Sequence, residues 1–130
     1  MQSRMLSHYE RIGGEEKIRA LVQRFYQLMD ELPEAHGIRK MHAESLQGSS
    51  DKLFKFLCGW MGGPQLYVRE FGNPRLRHRH LPFVISESER DQWLLCMRQA
   101  LNDVVEDAEL RKELTTAFVN VADHMRNRQG

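Results

Sequence analysis

The stretch Glu15–Glu31 reads EEKIRALVQRFYQLMDE. Its apolar residues fall at Ile18, Leu21, Val22, Phe25, Leu28 and Met29, with Leu32 just beyond. Steps of three and four residues put all of them on one side of an α-helix. A strand would need apolar and polar residues in alternation, and none is present here. Pro33 lacks the amide that a further turn requires, so the helix is predicted to stop before it. Upstream, Gly13-Gly14 marks a turn.

The same period recurs outward from this helix. A short helix is expected over residues 34–41. Ser49 or Ser50 is placed to cap a helix carrying Leu53, Phe56, Leu57, Trp60 and Met61, which Gly62-Gly63-Pro64 stops. Residues 65–72 read as a loop. Pro74 suits the first position of a short helix reaching Leu81, and Pro82 closes it. Ser86 and Glu89 have the spacing of a capping box, ahead of Trp93, Cys96, Met97, Ala100, Leu101 and Val104. Asp107 is placed to cap a last helix with Leu110, Leu114, Ala117, Phe118, Val121, Ala122 and Met125 on its face. The one alternation, of basic residues over 75–80, lacks β-branched side chains and follows a proline, so it reads as a helical turn. The fold class is therefore all-α, with four substantial helices and two or three short ones, and residues 1–130 are expected to form one domain. The plainest version of such a fold is a four-helix bundle without a cofactor.

Composition narrows the function classes. With 19 Lys and Arg against 18 Asp and Glu, the formal net charge of +1 argues against nonspecific binding of nucleic acid. No apolar run approaches the ~18 residues of a membrane span. Residues 1–10 include Arg4, His8 and Glu10 and lack the apolar stretch of a signal peptide. Cys58 and Cys96 both sit in apolar helical patterns, so reduced, buried thiols in a cytoplasmic protein are expected; a bridge between them stays open, because sequence does not give their separation.

Neither a Cys-x-x-Cys nor a His-Glu-x-x-His zinc pattern occurs, and no Gly-rich phosphate loop or Gly-x-Ser-x-Gly elbow is present. Most hydrolase and nucleotide-enzyme readings fall away. Six histidines remain: His8, His36, His42, His78, His80 and His124. On a helix His78 and His80 point to nearly opposite sides, so one of them at most looks inward. His80 adjoins Leu81, Pro82 and Phe83, an apolar setting for a metal-binding imidazole; a half-exposed surface histidine is the plain alternative. Lys52, Arg75, Arg77 and Arg79 are either a solvated surface or a grip for the carboxylates of a ligand. Tyr26 shares the inward side of its helix with Val22, as a core-edge tyrosine or a site hydroxyl. Trp93 opens an apolar stripe and reads as core, and His42 says little alone.

Several ordered motifs resemble the group II truncated haemoglobins. They are Tyr9-x-x-x-Gly13-Gly14, Arg24-Phe25-Tyr26, Trp60-Met61-Gly62-Gly63-Pro64 with Tyr67, Pro74-Arg75-Leu76-Arg77-His78-Arg79-His80-Leu81-Pro82-Phe83, and Ile85-Ser86 with Glu89-Arg90-Asp91, Trp93 and Cys96-Met97. The resemblance spans residues 9–125. It implies a two-over-two helical sandwich around haem b (iron protoporphyrin IX), with His80 as the proximal iron ligand. It implies Tyr26 and Trp93 as distal hydrogen-bond donors and His42 at a distal position where many relatives carry tyrosine. Leu53, with Ser49 one turn earlier, would line the distal side. Lys52, Tyr67 and Arg79 would meet the haem propionates, and Phe54, Phe83 and Met97 would pack on the ring. Residues 27–42 are a longer stretch than in the shorter relatives.

What the resemblance implies about function is reversible binding of dioxygen, nitric oxide or carbon monoxide at a His-ligated iron. A redox enzyme that detoxifies nitric oxide or consumes peroxide at the same haem is the second expectation. It would need an external reductase, since the chain has no flavin or nicotinamide domain. A cofactor-free helical interaction protein is the third. A monomer or weak homodimer is expected.

Overall fold

The computed structural model describes residues 6–72 and 87–125. Residues 74–83, which include His78, Arg79, His80 and Phe83, and the expected cap Ser86 lie outside the described residues. The elements are α1 (His8–Ile12), α2 (Glu15–Glu31), a 3-10 turn (Pro33–Ala35), α3 (His36–Arg39), α4 (Gln47–Trp60), α5 (Leu66–Phe71), α6 (Glu87–Val104) and α7 (Ala108–Met125). No strand occurs among the described residues.

The long helices pair two over two. α2 packs on α4 and α6, and α7 packs on α6. Between them lies a core whose largest fully buried side chains include Ile18, Leu21 and Phe25 of α2, Leu57 of α4, Met97 and Leu101 of α6, and Leu110, Leu114 and Phe118 of α7. These are the stripes expected from the 3.6-residue period. Truncating a side chain such as Phe25 would cost about 3–5 kcal/mol, from lost transfer energy and the cavity left behind.

Helix ends follow local chemistry. The Ser7 hydroxyl accepts the N–H of Glu10, and the Glu10 carboxylate reaches back to the Ser7 N–H, a reciprocal cap on α1. Gly13 ends α1 in the left-handed region, φ 111°, where a side chain would be strained. Leu32 is extended, φ −78° and ψ 123°, as a residue before proline must be, and α2 stops there. Asp107 Oδ1 accepts the N–H groups of Glu109 and Leu110 at 3.0 and 3.2 Å, as expected of the cap on α7.

Two boundaries differ from the sequence reading. Ser49 and Ser50 do not cap α4; the helix starts at Gln47, and the Ser50 N–H is already taken by the Leu46 carbonyl at 2.8 Å. Residues 65–72 are not a plain loop. They contain α5, which buries Tyr67 and ends at Gly72, φ 80°. No helix among the described residues is long and apolar enough to cross a membrane.

Candidate functional site

Five helices bring their aromatic residues into one run of ring contacts. Tyr26 of α2 lies edge-on to Phe25, centroids 4.9 Å apart, and Phe25 lies 5.3 Å from Trp93 of α6. Trp93 meets Phe118 of α7 at 5.7 Å, and Phe118 meets Trp60 of α4 at 4.7 Å. Beyond them Trp60 stacks with Phe56, and Phe56 meets Tyr67, at 6.4 and 6.1 Å. On the other side, His42 stands 6.0 Å from Tyr26 in a T-shaped contact. Tyr26, His42 and Trp93, widely separated in sequence, therefore belong to one connected cluster.

Tyr26 is a hydroxyl that burial has left almost unattended. Its ring is 9% exposed, and its oxygen lies 3.4 Å from the Ser49 carbonyl, a long hydrogen bond. Loss of hydration disfavours the phenolate and pushes its pKa well above the ordinary value, so the group is a donor at all physiological pH. The Trp93 indole is half-buried, and its N–H has no hydrogen-bond partner among the described residues. His42 donates from Nδ1 to the Ile38 carbonyl at 2.8 Å.

On α4 the stripe Ser49, Leu53, Phe56 and Trp60 is half-buried, at spacings of four, three and four residues. Phe54 is on the adjoining, fully buried side, with the Arg19 guanidinium 4.0 Å from its ring centroid. Met97 is buried in the core of α6. At the α4–α5 edge, Lys52 is exposed with its Nζ 5.6 Å from the Phe71 ring, and Tyr67 touches the same ring at 4.9 Å. Lys55, its neighbour, is spent on Asp51 and Glu70, each at 2.9 Å. Lys52 has no carboxylate partner among the described residues.

Two residues holding this cluster in place were not singled out by sequence. Arg39 reaches Asp30 of α2 at 2.9 Å and the carbonyls of Ala43 and Glu44 at 3.0 and 2.8 Å, pinning the chain just after His42. Gln92, beside Trp93, accepts the Ile38 N–H at 2.9 Å. Neither belongs to a motif or an apolar period, so nothing local marks them. Cys58 and Cys96 are free thiols buried in the core, and burial pushes each up to about 11.

A profile for the bacterial-like globins matches residues 7–127. The group 2 truncated haemoglobin YjbI of Bacillus subtilis (strain 168) is 38% identical over 119 residues, which cover 92% of this chain and 87% of that one. The chain belongs to the group II truncated haemoglobins. Among solved structures, the group II 2-on-2 haemoglobin of Agrobacterium tumefaciens is 45% identical, with full coverage of both chains and a TM-score of 0.93. The cold-adapted truncated haemoglobin of Pseudoalteromonas haloplanktis TAC125 is 40% identical, covering 95% of this chain and 99% of that one, with a TM-score of 0.93. Membership makes this a haem-binding globin, and globins bind diatomic gases through haem.

The described residues of this globin fit that group. A porphyrin is a flat apolar disc with an acidic edge. The half-buried stripe of Leu53, Phe56 and Trp60 is an apolar wall of matching character, and beside it Lys52 has no carboxylate partner among the described residues. The Tyr26 hydroxyl and the Trp93 N–H add two donors without strong partners among the described residues, a set suited to a small polar ligand rather than to a bare metal ion.

Proposed function

We propose that this globin holds haem b through His80 and reversibly binds dioxygen or a similar diatomic gas against Tyr26 and Trp93. Haem held by His80 would supply an iron able to bind a diatomic gas reversibly, with partial negative charge developing on dioxygen. The observation that carries the reading is the buried, protonated and weakly held Tyr26 hydroxyl, joined to Trp93 through Phe25. A hydrogen bond to a charged acceptor in such surroundings is worth about 1.5–3 kcal/mol. Two together slow the escape of the gas, which favours scavenging, sensing or redox use over rapid delivery.

The remaining residues support the group rather than the gas. Leu53 lines the wall beside Ser49, and Phe54, Phe83 and Met97 exclude water around the ring. Lys52, Tyr67 and Arg79 meet the propionates, each contributing modestly because ion pairs at a solvent edge gain little. Cys58 and Cys96 stand far apart in sequence and neither belongs to a Cys-x-x-Cys-His motif, which supports noncovalent attachment. Their free, buried thiols also support a cytoplasmic location. Residues 1–130 act as one domain in this reading.

The test is a visible absorption spectrum of the purified chain, reduced, with and without carbon monoxide. A shift of the haem bands on adding carbon monoxide is the expected result. A colourless protein with a folded helical spectrum would return the chain to the cofactor-free interaction class. Steady-state turnover of nitric oxide or peroxide with an added reductant would move it to the redox-enzyme class.

A further inference from the structure

α3 has no capping side chain of its own; Ala35 precedes it, the His36 N–H is taken by the Pro33 carbonyl, and the Ile38 N–H needs a partner from elsewhere. One partner comes from the opposite layer. Gln92 Oε1 accepts the Ile38 N–H at 2.9 Å, while Gln92 Nε2 donates to the Ser88 hydroxyl at 3.1 Å and so holds the amide in that orientation. The amide lies so close to Gly37 that a Cβ there would approach Gln92 Oε1 to 2.7 Å. Glycine at 37 is the condition for this cap.

The next link starts from the same residue. The Ile38 carbonyl, which can only accept, takes the proton of His42 Nδ1 at 2.8 Å. A neutral imidazole with its proton on Nδ1 carries its lone pair on Nε2. His42 Nε2 has no hydrogen-bond partner among the described residues, and its ring is the one set against Tyr26. Gln92 thus holds the N–H side of Ile38, the Ile38 carbonyl, which also accepts the Met41 N–H at 3.1 Å, holds the His42 ring, and the residue after Gln92 is Trp93.

We propose that Gln92 is a positioning residue for the gas-binding face, fixing His42 through Ile38 in the tautomer that presents Nε2 as an acceptor. His42 is then not a third donor beside Tyr26 and Trp93. It accepts from the Tyr26 hydroxyl or from a ligand that carries its own proton, such as a hydroperoxide. The inference rests on the gas-binding reading above for its functional meaning, but its geometry stands on this chain's own residues.

The test is the His42 tautomer, read from imidazole 15N shifts in the haem-loaded, carbon monoxide-bound protein at alkaline pH. The parent is expected to show the proton on Nδ1. Gln92→Leu, which keeps bulk and loses the acceptor, is expected to shift the population toward the Nε2 proton. Gln92→Glu, which keeps an acceptor for the Ile38 N–H, is expected to restore the parent tautomer. Gly37→Ala is expected to reproduce Gln92→Leu, and to have no further effect on the tautomer in a Gln92→Ala background. The dioxygen off-rate should move by roughly fivefold in Gln92→Leu, the factor one neutral hydrogen bond commands, and return toward the parent in Gln92→Glu. An unchanged His42 tautomer in both Gln92→Leu and Gly37→Ala overturns the proposal. If Gln92→Leu does not fold, Gly37→Ala decides by itself. A chain that purifies without haem refutes the gas-binding reading, while the same shifts, read on it as purified, still decide the role of Gln92.

Discussion

The hydroxyl of Tyr26 lies 3.4 Å from the carbonyl oxygen of Ser49, across the contact between α2 and α4. A bond this long restrains the hydroxyl without satisfying it, so the proton stays available to a better acceptor.

Removing that donor should therefore cost function more than stability. Tyr26→Phe is expected to change unfolding free energy by less than about 1 kcal/mol, since the bond lost is weak. The dioxygen off-rate should rise about tenfold or more in Tyr26→Phe and again in Trp93→Phe, as loss of a charge-assisted bond predicts. The carbon monoxide off-rate should change less, because its outer atom carries less negative charge. The double variant should be non-additive, as for neighbours in one network. Stopped-flow dissociation measures all of this, and parent-like dioxygen off-rates in both single variants would return the two rings to plain packing.

His80 is the residue on which the proximal assignment turns. His80→Gly should lose haem on gel filtration and regain it with added imidazole, whereas His78→Ala should keep it. A histidine-ligated spectrum in His80→Gly without imidazole would assign the iron to another histidine.

Tyr9 and Gly63 test the packing at the C-terminal end of α4. The Tyr9 N–H bonds to the Met61 carbonyl at 2.8 Å, which brings its ring over Gly63, where a Cβ would overlap it. Gly63→Ala is expected to destabilise by about 1–3 kcal/mol, the usual cost of overpacking, with an unchanged urea m-value. Tyr9→Ala, which removes the ring from its Cγ outward, should abolish most of that penalty when Gly63→Ala is measured in its background; a penalty that persists undiminished would place the strain elsewhere.

Acid stability should depend on Glu113. Hydrogen bonding from Arg11 at 2.8 Å, with a further contact to His8 at 3.3 Å, lowers its carboxyl below the ordinary value of 4.5. A lowered folded-state pKa means that the unfolded chain takes up the proton first. The stabilisation is complete above the ordinary value and is lost as pH falls through the lower, folded one. Glu113→Gln should flatten the stability profile below pH 4.5 and leave its slope above neutrality unchanged. An acid limb as steep as the parent's in that variant would assign the acid sensitivity to other carboxylates.

Helices long enough to repeat their period were legible in the sequence. Seventeen residues of α2 show the stripe twice over, and Pro33 dictates its end. The six residues of α5 do not complete two turns, and its N-cap Gln65 makes no capping hydrogen bond, so the segment reads as a loop from its sequence. Ser49 and Ser50 have capping chemistry, but Leu46 in the helical region starts α4 earlier and takes the Ser50 amide. The site was harder still. Tyr26, His42 and Trp93 come from separate elements, and only the resemblance grouped them. Gln92 pairs with a backbone amide 54 residues away, a contact that leaves no local pattern. Arg39 bonds two carbonyls, which any residue can supply.

Phe118 lies against both Trp60 and Trp93, and these are the chain's two tryptophans. The intrinsic fluorescence of the molecule therefore originates on both sides of a single ring carried by α7. Emission cannot follow one layer of the sandwich alone: any event that displaces α7 perturbs both fluorophores together, and a Phe118 variant recalibrates the whole optical signal.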